Sequence, residues 1–229
     1  MKNYVIAIDG PASAGKGTVA RLVAEKLKFL YVDTGAMYRV ITLKALKNNI
    51  LMDDENGLLK MAQTTSIELI PGDNKYMVRV DGKDVSDEIR TEEVSKNTHF
   101  IASILKIREV LWEMQRAYRK NHNIVMEGRD IGSIVFPDAE IKIYLDAGIE
   151  ERVKRRYRQL KESGLHVDVE TIKKSLIERD EKDKNRTISP LKKLPEAVYI
   201  DSTKMTIEEE ARKIVNLALK KIKQYQDFL

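Results

Sequence analysis

The chain has 229 residues, no cysteine and a net charge of +5, from 41 Lys and Arg against 36 Asp and Glu. That length gives one well-buried domain with room for insertions rather than two independent domains, and the missing cysteines exclude disulfides and thiolate metal sites. No apolar run approaches the ~20 residues of a membrane-spanning helix, and a strand pattern begins by Val5, so a soluble cytoplasmic protein without a leader is expected.

The first stretch, VIAIDGPASAGKGT from Val5 to Thr18, reads as a buried strand, a glycine-punctuated loop and a helix that keeps Val19, Leu22, Val23 and Leu27 on one face. Gly10, Gly15 and Lys16 fit G-x-x-x-x-G-K in the context where that spacing has meaning, between a strand and a helix. Glycine lets the backbone curl so that successive N–H groups face phosphate oxygens. The helix N-terminus and the Lys16 ammonium add positive charge at the same place. The segment is therefore read as a nucleoside triphosphate site, against the plainer alternative of a turn that only joins strand to helix. Gly17 stands where a Ser or Thr is more usual, and the hydroxyl follows on Thr18. This GKGT form resembles the loop of nucleoside monophosphate kinases more than that of switch GTPases or motor ATPases.

A second strand is predicted over Phe29–Val32 and a helix over Ala36–Leu46, with Asp33, Thr34 and Gly35 at the joint and Arg39 about one turn on. Ligands collect beyond the carboxyl ends of strands in open α/β sheets, but a helix cap at Asp33 or Thr34 and a solvated Arg39 explain the spacing equally well. Between Asn56 and Arg90, two alternating segments around Leu69 and Val78 are separated by the turns Pro71-Gly72-Asp73-Asn74 and Asp81-Gly82. They predict a small antiparallel β insertion, a flap or an edge cover. Glu92–Asn121 is a long helical segment whose length invites a break, and it contains Arg108.

A third core strand, Asn123–Met126, ends in Glu127, Gly128, Arg129 and Asp130. An acidic residue there suits Mg²⁺, directly or through water, and the other charges fall on the ligand side of the sheet. A fourth strand is predicted at Glu140–Leu145. A basic helix follows over Ile149–Ser163; its charge run reads as a solvated face for several residues, while Arg152, Arg155 and Arg156 share helical spacing that suits one face for anions. The segment Glu150–Lys193 has 14 Lys and Arg against 9 Asp and Glu, an excess equal to the whole net charge. On a helix over Val167–Asn185, Arg179, Asp183 and Arg186 lie at i, i+4 and i+7, one stripe suited to a phosphate clamp with a carboxylate for hydroxyl groups. A fifth strand at Ala197–Ile200 and a last helix opened by a Thr206–Glu209 capping box complete the chain.

Five strands alternating with helices predict a parallel α/β sheet with helices on both faces. His99, His122 and His166 are not spaced as a metal pair, and no Ser-His-Asp order appears. Arginine beside a phosphate loop suits phosphoryl transfer, which needs charge neutralisation and in-line positioning. The absence of an obvious general base favours an acceptor that is already ionised, such as a phosphate, over an alcohol.

The motifs GPASAGKGT, YVDTGAMYR, EGRDIGS, FPDA and ERDEKDKNR, in this order and with the β insertion, resemble those of bacterial cytidylate kinases over essentially the full chain. The resemblance implies a monomeric P-loop kinase that moves the γ-phosphoryl group of ATP to CMP or dCMP with Mg²⁺, without nucleic acid or membrane partners. It implies that Gly10, Pro11, Ala12, Ser13, Ala14, Gly15, Lys16, Gly17 and Thr18 bind ATP phosphates, and that Thr18 and Glu127 serve the metal. It further implies that Arg39, Arg129 and Arg186 reach the CMP phosphate, with Thr34 beside them, that Arg108 and Asp130 read cytosine, and that Asp183 with Arg179 holds the ribose region. Lys16, Arg129, Arg155 and Arg186 would be catalytic, residues 62–92 part of the nucleoside monophosphate-binding insert, and 150–167, with Arg152, Arg155 and Arg156, the lid. Two residues depart from the family pattern: Glu127 stands where Asp is usual, and His99 where a small hydroxyl residue is common. The competing expectations are a P-loop kinase for another small acceptor, such as shikimate, and an ATP-dependent nucleic-acid-binding protein. Aromatic stacking motifs for the latter are lacking.

Overall fold

The computed structural model describes residues 3–70, 76–162, 164–165 and 167–226. The turn expected at Pro71–Asn74, Ser163 at the end of the basic helix, and His166 lie outside the described residues. The chain forms two compact units, Met1–Tyr31 with His122–Leu229, and Val32–Asn121.

The first unit is built on parallel strands. β1 (Val5–Asp9) is buried throughout and pairs in parallel with β6 (Ile124–Gly128) on one side and β7 (Ile141–Asp146) on the other. β8 (Val198–Asp201) adds to β7 in parallel, and β2 (Leu30–Asp33) to β6, so that the order is β2-β6-β1-β7-β8. Valine, isoleucine and alanine dominate the central strand because a strand covered on both faces has no place for an alternating polar side. α1 (Lys16–Leu27) lies against β6 and against α8 (Ile207–Gln226), burying Val19, Ala20, Val23 and Ala24. The capping box forms as expected: Thr206 N donates to Glu209 Oε2 at 2.8 Å and Glu209 N to Thr206 Oγ1 at 3.3 Å. α6 (Ile149–Glu162) and α7 (Val169–Asn185) pack on each other, and Val153, Ile172 and Leu176 enclose the phosphate-loop residue Ala12.

The second unit joins α2 (Thr34–Lys47) to α3 (Glu55–Gln63), a three-stranded sheet of β3 (Ile67–Ile70), β4 (Met77–Val80) and β5 (Lys83–Asp84), and then α4 (Glu92–Ser103) and α5 (Leu105–Ala117). The antiparallel insertion is as expected, with Leu69 opposite Val78. Helix α3 is not, since it occupies Glu55–Gln63, where the sequence pattern predicts the β insertion from Asn56 onward. The missed signal is Asp54, whose carboxylate caps the helix by accepting from Gly57 N at 3.0 Å while Leu58, Met61 and Ala62 turn inward. The expected break in the long helical segment falls at Ile104, whose extended backbone (φ −86°, ψ 112°) ends α4 and starts α5.

Candidate active site

The phosphate loop follows β1 directly. Gly10 is required by close approach: a Cβ there would lie 2.0 Å from the carbonyl oxygen of Leu145 on the neighbouring strand. Gly15, at φ 92°, turns the loop in the left-handed region into α1. Three of the loop's carbonyls accept from cationic side chains. Lys16 Nζ donates to Pro11 O at 2.7 Å, Arg152 Nη1 to Ala12 O at 3.2 Å and Arg155 Nη1 to Ala14 O at 3.0 Å. Three loop carbonyls are thus engaged by cationic side chains, and the N-terminus of α1 that follows offers backbone amides and the positive end of the helix to an anion. Lys16 is buried, and desolvation, with Arg129 nearby, brings its pKa down to about 7, against the pull of Glu127 and Asp183.

Two of the three arginines expected to form an anion-facing stripe on α6 are thus committed to the loop itself. Arg152 is buried, pairs with Asp180 Oδ2 at 2.5 Å and donates through Nε to Ala147 O at 3.0 Å, while Asp180 Oδ1 accepts from Ala12 N at 3.4 Å. Arg155 also bonds Ser202 Oγ at 3.0 Å and Ser202 O at 2.9 Å, with Glu151 at 3.2 Å. Arg156 instead donates to Gln159 Oε1 at 2.8 Å.

Beside the loop, the end of β6 delivers Glu127, Arg129 and Asp130. A Cβ on Gly17 would be 3.4 Å from Glu127 Oε1 and 3.2 Å from the Tyr31 hydroxyl, so this carboxylate comes up against the first turn of α1, where the Thr18 side chain is exposed. Arg129 Nε donates to Asp183 Oδ2 at 2.8 Å. Burial opposes the charge of Asp183, yet Arg129, Arg179 and Arg186 together hold its pKa below the ordinary carboxylate value. For Arg129 burial works the same way, and Asp183, Glu127 and Asp180 keep it charged. Arg179, Asp183 and Arg186 are brought together, but not as one helical stripe: α7 ends at Asn185, and Arg186 is extended (φ −62°, ψ 141°) with its Nε on Ser189 O at 2.6 Å. The departure comes from the chain turning at Arg186, which the i+7 spacing could not register.

In the second unit, Asp33 caps α2 by accepting from Ala36 N at 2.8 Å and also pairs with Arg39 Nη2 at 3.0 Å, so the joint is capped while Arg39 is an ion-paired side chain rather than a solvated charge. Thr34, the first residue of α2, is buried. Arg108 is fully enclosed, its guanidinium 5.3 Å from the Tyr38 ring centre and 5.5 Å from that of Trp112, with Nη1 on Ala102 O at 2.8 Å. His99 is exposed on α4, its Nδ1 2.7 Å from Lys96 O. The described residues contain no cluster of three or more metal-ligating side chains and no helix long and apolar enough to cross a membrane.

Sequence reasoning missed Asp9, Asp180 and Ser202. Asp9 carries the same signal as Glu127, a carboxylate closing a buried strand. Its two oxygens accept from Ile131 N at 2.9 Å and Gly132 N at 2.8 Å.

A parallel sheet with a glycine loop feeding a helix N-terminus, a buried lysine and an arginine–carboxylate cluster defines a P-loop phosphotransferase. A crystal structure of an uncharacterized protein from Eubacterium ventriosum has the same fold, with TM-score 0.53 at 14% identity over 94% of this chain and 98% of that one. The family model for cytidylate kinase matches residues 6–224. The chain is 48% identical over 221 residues to the cytidylate kinase of Listeria monocytogenes serotype 4a, covering 96% of this chain and 98% of the relative. It is 44% identical over 212 residues to that of Carboxydothermus hydrogenoformans, covering 93% and 96%. The chain belongs to the cytidylate kinase family.

Proposed function

We infer that the protein transfers the γ-phosphoryl group of ATP to CMP and dCMP, giving CDP and dCDP. The observation that carries this is the glycine loop opening into α1 with buried Lys16, where Glu127 comes up against the first turn at Gly17 and the Arg129–Asp183 ion pair at 2.8 Å closes the end of β6. Such a cluster neutralises transferring phosphoryl oxygens while doing no covalent chemistry, and a monophosphate acceptor is ionised near neutral pH, so no general base is needed.

In this reading Gly10 through Thr18 hold the ATP phosphates and Lys16 bridges toward the transferred group. Arg129 and Arg186 stabilise its charge, and Arg155, beside Gly15 and Ala14, completes the catalytic set. Thr34, Arg39, Arg108, Arg129, Asp130, Arg179, Asp183 and Arg186 are assigned to the nucleoside monophosphate. Asp130 reads the cytosine amino group, which donates where uracil presents a carbonyl. Residues 62–92 belong to the monophosphate-binding part and 150–167 to the lid. Mg²⁺ would be held by Thr18 and Glu127, partly through water. It would supply charge neutralisation between the β- and γ-phosphates, and the exposed hydroxyl and single carboxylate suit an ion that keeps most of its water shell. The protein is expected to act as a cytoplasmic monomer.

The test is a coupled ADP-release assay with ATP and Mg²⁺, offering CMP, dCMP, UMP, AMP, GMP and shikimate separately, with Lys16→Ala as control. Turnover of CMP and dCMP well above UMP, lost in the control, is expected. Preference for another acceptor would overturn the assignment of the pocket.

A further inference from the structure

We propose that Asp9 is a positioning residue for the acceptor base, acting by clamping the turn that presents Arg129 and Asp130; this rests on the assignment of those two residues to CMP. Asp9 is the last residue of β1 and pairs in register with Gly128 of β6. Beyond Gly128 the ladder stops, and the chain would be free to swing. Instead the Asp9 carboxylate forks onto the next amides but two: Ile131 N reaches Oδ1 at 2.9 Å and Gly132 N reaches Oδ2 at 2.8 Å. Arg129 and Asp130 therefore form a two-residue bridge between two fixed points, the end of the ladder and the fork.

The turn beyond is closed on the same residue. Asp130 O accepts from Ile134 N at 2.9 Å and from Val135 N at 3.2 Å, winding Ile131–Val135 into a single wide helical turn. Gly132 faces the fork: a Cβ there would stand 3.4 Å from Asp9 Oδ2, in ordinary contact, and 3.3 Å from the Lys142 side chain, so a larger side chain would press on both. The far end of Arg129 is held by Asp183, so backbone and guanidinium are both fixed. Asp9 itself is buried, directly precedes the phosphate loop and points both carboxylate oxygens at the turn, so it touches neither the base nor the reacting oxygens in this account. Burial raises the Asp9 pKa to about 6 against the pull of the two amides, so at neutral pH the fork is made to an ionised acceptor, the strong kind, with competing water removed. Asparagine keeps the shape but can accept only at its oxygen and sets its NH₂ against the second amide.

The experiment is steady-state kinetics on the full chain with Asp9→Asn, Gly132→Val and Asp130→Asn, each variant checked by thermal unfolding. Asp9→Asn is expected to raise KM for CMP roughly tenfold or more and to narrow the CMP-over-UMP preference, with KM for ATP within about threefold of the parent. Gly132→Val, which pushes the same turn from the other side, is expected to move the same quantities and carries the test if Asp9→Asn does not fold. A raised KM for CMP in Asp130→Asn with unchanged values in Asp9→Asn and Gly132→Val overturns the inference and leaves the base assignment standing. An unchanged KM for CMP in Asp130→Asn overturns that assignment and the inference with it. A loss in Asp9→Asn shared equally by ATP and CMP makes Asp9 a general structural residue and also overturns it.

Discussion

Arg129 Nε meets Asp183 Oδ2 at 2.8 Å, and this ion pair joins the end of β6 to the last turn of α7. Both partners lie beside Lys16, and Arg179 and Arg186 add their charges to Asp183. One carboxylate thus balances the charge of three nearby guanidiniums, one of them hydrogen-bonded to it, an arrangement that places positive charge for phosphate without leaving it unbalanced.

Asp183→Ala is accordingly expected to raise KM for CMP at least about tenfold while KM for ATP changes less, since it frees the arginines to repel one another. Steady-state kinetics with each substrate varied in turn checks this. The same pair sets an acid limit. Because the native pKa of Asp183 is lowered from 3.8, its stabilisation is fully present above that value and is lost as pH falls through the native pKa. Urea unfolding between about pH 3 and 5 should fall more steeply for the parent than for Asp183→Asn.

Arg152 and Asp180 form the second test. Both are buried, and the pair grips Ala12 from its carbonyl and its amide. Arg152→Met leaves Asp180 uncompensated in a dry site and is expected to cost about 3–5 kcal/mol. The double variant Arg152→Met with Asp180→Leu should recover most of that stability, yet keep a raised KM for ATP because the loop loses its brace. Chemical denaturation and ATP kinetics on the three variants separate the two effects.

Glu210 is buried on α8 with Oε2 lacking a hydrogen-bond partner among the described residues. Burial, opposed by Arg155, raises its pKa from 4.5 to about 7. Between those values the native state holds a proton that the unfolded chain has released, so stability declines as pH rises through the window and the cost is constant above it. Glu210→Gln is expected to be more stable than the parent at pH 8 by up to about 3 kcal/mol, with the gap closing by about pH 4.5. Denaturant unfolding at the two pH values reads the difference directly.

The glycines give a paired comparison. Gly10→Ala drives a methyl group to 2.0 Å from Leu145 O and should abolish stable folding or ATP turnover. Gly82→Ala, with φ 79° and open space around it, should cost only about 1–2 kcal/mol through backbone strain. Thermal unfolding and turnover of both variants distinguish clash from strain.

Much of the site was legible along the chain because its chemistry is local. The phosphate loop needs Gly10, Gly15 and Lys16 at fixed spacing within one strand-loop-helix unit, and Glu127 to Asp130 follow one apolar strand, so neighbouring residues carry the whole signal. The Thr206–Glu209 cap was readable for the same reason: donor and acceptor are three residues apart. Helix α3 was lost because a nine-residue helix beginning Glu55-Asn56-Gly57 has poor intrinsic propensity and is stabilised by its Asp54 cap and inward Leu58 and Met61.

What the chain order could not convey is which charges meet. Arg152, Arg155 and Arg156 share a helical face on paper, but the first two are drawn to loop carbonyls 140 and 141 residues away and the third is not. Asp9 gains its role from amides 122 and 123 residues further on. The class of fold, the phosphate loop and the kinase family each rest on short-range pattern and are readable along the chain. Which carboxylate balances which arginine emerges on folding, because a buried charge is tolerated only opposite a partner, and in this sheet the partners come from strands and helices far apart in the chain.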